Sequence, residues 1–158
     1  MSNTQNPDQQ DQKQAASSDD YIEKFSTERS TWSNATIEIG RRFRDVENLA
    51  EVQVDLYSKR QEALEYQYKL IGIHTRLKNL YAVEWKKAYD SASVNEDIRY
   101  NDKERSKVAE SMVSKLKFKV ESVSNQIEFF RETIKTIDNM IFGVKHRIDI
   151  ENFKVGMK

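Results

Sequence analysis

Tyr81, Trp85 and Tyr89 stand at intervals of four beside Lys78, Lys86 and Lys87, within the run Leu80-Tyr81-Ala82-Val83-Glu84-Trp85-Lys86-Lys87-Ala88-Tyr89. On a helix that spacing puts the three rings on one face. Rings stack on bases and amines meet phosphates, so the combination suits single-stranded nucleic acid, where each stacked base contributes about 1–3 kcal/mol. An aromatic line at helical spacing also describes a core face, and Trp85 carries both readings. A second basic run, Lys103, Arg105, Lys107, Lys115, Lys117 and Lys119, follows a break in the pattern. Closing a hairpin at that break would bring the two clusters to one end. The expected nucleic-acid contacts are Lys78, Lys86, Lys87, Tyr89, Lys103, Arg105 and Lys107. A third cluster, Lys145-His146-Arg147 with Lys154 and Lys158, reads first as favourable charge at a helix C-terminus.

Catalytic chemistry has little to work with. The two histidines, His74 and His146, are far apart, with no Ser, Cys or second His at ligand spacing. His74 follows Ile73 on an apolar stripe and reads as a packed residue. There is no cysteine, hence no thiol nucleophile, thiolate metal site or disulfide. Gly40, Gly72, Gly143 and Gly156 are isolated, and none belongs to a phosphate-binding loop. The expectation is a non-enzyme without metal or cofactor.

The elements that must position these residues are helices. Four glycines and one proline in 158 residues leave too few turns for a sandwich, a barrel or a βαβ fold. From about Arg41 a helical period runs through Leu49, Val52, Leu56, Ala63, Tyr66, Leu70, Ile73, Leu77 and Leu80, predicting one helix to about Tyr89. Tyr57, Leu64, Ile71 and Trp85, with Lys78 intervening, form a second line that widens the apolar face. Between about 90 and 102 the period lapses into Ser, Asn and Asp, the expected hinge. Leu116, Val120, Val123, Ile127, Phe130, Ile134, Ile137, Ile141, Val144 and Ile148 then alternate steps of four and three without a miss. That is a 3.5-residue repeat, the mark of a helix held against partner helices. A helix from about Lys103 to Ile150 would be about 70 Å long. Its Ile-rich seam favours more than two strands. Two arrangements satisfy that: a homo-oligomer whose C-terminal helices supply the interface, or a core closed within one hairpin. No period is evident in 21–40, where Ile37 and Ile39 alternate as in an extended segment.

Residues 1–20 hold no Leu, Ile, Val or aromatic and read as a disordered acidic and polar tail, leaving 21–158 as a single helical domain. The formal net charge is zero, which excludes a bulk basic field. The neutral total conceals an uneven distribution: 1–20 has one base against four acids, whereas 103–158 has twelve bases against eight. Without an apolar leader in 1–20 or any run of about 18 apolar residues, a soluble cytoplasmic protein without a membrane partner is expected.

The stretch Phe142-Gly143-Val144-Lys145-His146-Arg147-Ile148-Asp149-Ile150-Glu151-Asn152-Phe153, ending in Gly156-Met157-Lys158, resembles the tail of the UvsY-type recombination mediators of T4-like bacteriophages. Leu56-Tyr57-Ser58-Lys59 and the segment from Leu80 to Ser91 are similar to that family's Tyr-Ser-Lys motif and its basic, aromatic segment before the hinge. The resemblance spans roughly Leu49 to Lys158. It implies an all-α protein, a long helical hairpin with a coiled-coil C-terminal helix, assembled into a ring-like homo-oligomer of six or seven subunits. Its implied partners are single-stranded DNA, a RecA-like phage recombinase and the phage single-stranded DNA-binding protein, in recombination and repair within the infected bacterial cell. DNA binding carries over to Lys86 and Lys87, although the family has Lys and Arg two apart where these are adjacent. Assembly carries over to Phe142, Val144, Ile148 and Phe153, joining the seam residues Ile127, Phe130, Ile134, Ile137 and Ile141. The rival reading is a structural coiled-coil adaptor whose basic faces only solvate its helices.

Overall fold

The computed structural model describes the backbone of residues 7–92 and 101–156, with side chains from residue 21 onward. These residues are 95% helical and include no strand, so the chain is all-α. The elements are α1 (Pro7–Arg41), a single 3-10 turn (Arg42–Arg44), α2 (Leu49–Ser91), α3 (Asp102–Met112) and α4 (Ser114–Gly156). They form two compact units, one of residues 1–25 and 71–125, the other of residues 26–70 and 126–158.

The second unit is built on the α4 seam. Val144 and Ile137 are buried with Leu49, Val52 and Leu56 of α2, and Ile39, Phe43, Met140, Ile141 and Ile148 pack around them. Phe130 is fully buried, with Trp32 of α1 edge-on at 5.1 Å and Tyr66 of α2 at 4.8 Å between ring centroids. Gln67 Nε2 donates to Ile127 O (3.3 Å) and Arg60 Nε to Asp138 Oδ1 (2.5 Å). Moving back seven residues on α2 thus moves forward eleven on α4, so the two run antiparallel. Ile127, Phe130, Ile134, Ile137 and Val144 are all buried by helices of their own chain. Expected at an interface between copies, these five residues are thus covered within the single chain, with α1 and α2 supplying partners for Phe130, Ile137 and Val144.

The helix α1 is the element for which the sequence shows no period. Its inward positions are Phe25, Arg29, Trp32, Thr36 and Ile39, with Phe43 following, a four-three alternation in which Arg29 and Thr36 interrupt the apolar signal. Ile37, expected to alternate with Ile39 in an extended strand, points outward and is 53% exposed. Nor does the chain become helical only after a tail of twenty residues, since α1 begins at Pro7. Proline suits the first turn, where its missing N–H has no helical partner to lose, and the Gln, Ala and Lys residues that follow are good helix formers.

The predicted helix from Lys103 to Ile150 is interrupted at Val113, whose φ and ψ are −100° and 9°. The break is shallow: Val113 N–H still donates to Ala109 O (3.1 Å), and Lys117 N–H to Val113 O (2.9 Å). Ser111 and Ser114 flank it, residues whose hydroxyls compete with the helical ladder. The first long helix starts at Leu49, later than Arg41, because Asp45 takes the Asn48 amide (2.5 Å) and the Glu47 N–H (3.2 Å) in a turn ahead of it. Ile73 and Leu80, expected on the buried face of α2, are 41% and 47% exposed. The expected hinge coincides with the gap between α2 and α3, but residues 93–100 lie outside the described residues.

One polar group sits in the second unit's core. Gln126 is fully buried; its Oε1 accepts from Arg29 Nε (2.7 Å), and its Nε2 donates to Glu28 Oε2 (3.2 Å). The same carboxylate oxygen accepts from the Tyr66 hydroxyl (2.7 Å). Replacing Gln126 with Ala leaves Arg29 and Glu28 short of partners, an expected loss of about 1–3 kcal/mol in denaturant unfolding. Burial, and then the bond to Glu28, raise the Tyr66 phenol well above its ordinary value. Because the folded state holds that proton more tightly than the unfolded chain does, stability is intact below about pH 10 and falls above it. Tyr66→Phe should flatten the alkaline fall when unfolding is followed from about pH 8 to 11.

Candidate nucleic-acid interface

All seven expected DNA-contact residues lie in the first unit, on the C-terminal half of α2 and on α3. The start of α3 is fixed by a capping box. The Asn101 side chain accepts the Glu104 N–H, and the Glu104 carboxylate accepts the Asn101 N–H, both at 3.0 Å. Small residues then let two helices approach: Ala88 of α2 is buried against Ala109 of α3 and Val113 just after it. Tyr81, Trp85 and Tyr89 pack on this cluster, half-buried.

The aromatic face is therefore part core, and its last ring is covered. Trp85 and Tyr89 stack at 5.2 Å with 18° between their planes. The Arg105 guanidinium lies 4.2 Å from the Tyr89 ring centroid. The Tyr89 hydroxyl donates to Asp102 Oδ1 (3.3 Å), which also pairs with Arg105 (3.5 Å). Of the expected contacts, Tyr89 thus has its ring against Trp85 and Arg105, and Arg105 is engaged with Tyr89 and Asp102. Lys87 is held by Glu84 at 2.8 Å. Lys78, Lys86, Lys103 and Lys107 are exposed, and Lys103 and Lys107, four apart, share one face of α3. Sequence reasoning missed Asp102, the acid that ties α3 to Tyr89. The signal was present in Asn101-Asp102-Lys103-Glu104, a capping-box pattern that marks a helix start with an acid in its first turn.

Of the residues expected in assembly, Ile141 and Ile148 are partly buried beside the second unit's core, while Phe142 and Phe153 are 72% and 70% exposed. Ile150 and Val155 are exposed with them, and the His146 ring lies parallel to Phe142 at 6.4 Å. In the third basic cluster Arg147 Nη1 donates to Phe43 O (2.6 Å) and Nη2 to Arg44 O (3.4 Å). The carbonyls it satisfies belong to the turn that follows α1, so its role is to close that end of the helix.

No family model matches the sequence, no curated protein matches it, and no solved structure matches it. Among the described residues no helix is long and apolar enough to cross a membrane. If close approach at Ala88 and Ala109 orders the ring stack, Ala109→Leu should cost about 1–3 kcal/mol by overpacking and weaken the near-ultraviolet circular dichroism of Trp85.

Proposed function

We propose that this chain is a non-enzymatic recombination mediator that binds single-stranded DNA and promotes loading of a RecA-like phage recombinase onto DNA covered by a single-stranded DNA-binding protein. The observation that carries the DNA-binding step is that Lys86, Lys103 and Lys107 are all exposed, on two helices tied together at Ala88–Ala109 and Tyr89–Asp102. The roles of recombinase and competing DNA-binding protein come from the family resemblance of the C-terminal stretch. Assembly, in this reading, uses the exposed Phe142 and Phe153 with Ile150 and Val155, because Ile127, Phe130, Ile134, Ile137 and Val144 of the seam are buried within their own chain.

A helical adaptor with no nucleic-acid role is the second reading. The cover over Tyr89 and the pairing of Lys87 with Glu84 favour it.

Anisotropy of a labelled oligonucleotide across a salt series separates the two. For the mediator, affinity falls steeply with salt, and the quadruple variant Lys86→Ala/Lys87→Ala/Lys103→Ala/Lys107→Ala lowers the log–log slope by about 0.7 for each phosphate that no longer meets an ammonium. Equal binding by the variant, or no binding by the parent protein, removes the proposal. In light scattering, Phe142→Asp/Phe153→Asp should reduce the assembled mass while the circular dichroism stays helical; an unchanged mass takes that face out of the interface.

A further inference from the structure

The first unit contains a groove of about 340 Å³ between α2 and α4, lined by Lys78, Tyr81, Ala82, Lys117, Val120 and Glu121. Lys78, Tyr81 and Lys117 belong to the basic and aromatic runs from which nucleic-acid binding was read, and the groove adds Val120 and Glu121 of α4 to them. Its floor is apolar, with half-buried Tyr81 and Val120 on opposite walls and the small Ala82 leaving the space between them. The charges stand on the rim: an ammonium from each helix, Lys78 and Lys117, and the carboxylate of Glu121. Neither lysine is in an ion pair among the described residues.

We propose that this groove receives one unstacked base of a single strand, with Lys78 and Lys117 meeting the phosphates on either side of it. The inference rests on the DNA-binding reading and deepens it. Three features fit a nucleotide. The volume lies at the small end of ligand sites, about 300–1,000 Å³. The apolar walls and the Tyr81 ring suit the flat faces of a base, as in pockets that hold extruded nucleotides. The paired cations match a chain charged on both sides of the base, while Glu121 repels an anion inside the groove and can accept from an N–H on a base edge. The groove also supplies what Tyr89 cannot, since Trp85 and Arg105 already occupy that ring.

Ala82→Leu fills the space without altering charge, and Ala82 is exposed enough for the variant to fold. The probe is an oligonucleotide carrying one 5-iododeoxyuridine, irradiated in complex with the full chain and mapped by mass spectrometry. The expected result is an adduct on Tyr81 that disappears in Ala82→Leu, with affinity lowered about tenfold and the salt slope retained. Salt-sensitive binding with no Tyr81 adduct, or with equal adduct and affinity in Ala82→Leu, overturns the groove and leaves the DNA-binding reading standing. Dodecyl phosphate bound there without competition from the oligonucleotide likewise overturns it. If the parent protein binds no oligonucleotide at all, the DNA-binding reading itself fails and the groove falls with it.

Discussion

An unbroken apolar stripe on a helix cannot stay in water, and the second unit is organised by the need to cover the one on α4. Val144, Ile137 and Phe130 reach full burial only because residues from two other helices meet them: Val52 and Leu56 from α2, Trp32 and Ile39 from α1. Fully burying side chains of this size contributes about 1.5–3 kcal/mol each, several times a surface ion pair. The pairs Arg131–Glu128, Lys135–Glu132 and Lys154–Glu151 along α4 are exposed and each spans three residues of a single helix. They tune helix stability slightly and do not hold the helices together. Apolar burial sets which helices meet; the Gln126–Arg29–Glu28–Tyr66 bonds set how they align, because sliding α4 by one turn would strand a buried amide.

The heptad on α4 was legible because every one of its positions is apolar. What it could not specify is whose helices cover it. A 3.5-residue repeat states that partners exist, and Ile at both seam positions states that there is more than one, but copies of the chain and segments of the same chain satisfy both statements equally. The covering helix α1 was the illegible piece. Two of its inward positions are Arg29 and Thr36, whose side chains bond to Gln126 and to the Trp32 carbonyl, respectively. Trp32 itself sits under the Lys59 ammonium, 4.5 Å from the ring centroid, so Lys59, which stands where the α2 period between Leu56 and Ala63 calls for an apolar residue, is explained by its neighbour on α1. Hydropathy alone cannot register polar residues that face inward with their hydrogen bonds made, Arg29 to a buried amide and Thr36 to its own helix.

The candidate site was legible in its parts and not in its arrangement. Spacing placed Trp85 and Tyr89 on one face of a helix, and that is where they lie. Whether a ring is a platform or a filler depends on what approaches from α3, and Arg105 and Asp102 approach Tyr89 at its ring and its hydroxyl. Cation–π contact at a partly exposed site is worth about 0.5–1 kcal/mol. A stacked base contributes more, about 1–3 kcal/mol, so this cover restrains Tyr89 without making the stack immutable.

A neutral chain that binds a polyanion must do so through local charge, and the distribution of lysines decides whether that is feasible. Twelve of the chain's 26 bases lie after residue 102, against eight acids, and many along α4 are matched within a turn by a carboxylate. Lys103 and Lys107 on α3 differ in being exposed together, four residues apart on one face of that helix. One such cluster meets few phosphates, and at physiological ionic strength charges more than about 8 Å apart are largely screened from each other. Affinity must then come from repetition, the same small cluster presented by several copies along one strand, where each site after the first binds at an effective concentration set by its neighbours. This requirement couples the two ends of the proposal. Under that proposal the exposed Phe142 and Phe153 would matter to DNA binding without touching DNA, because a protomer that cannot assemble keeps its lysines and forfeits their multiplicity.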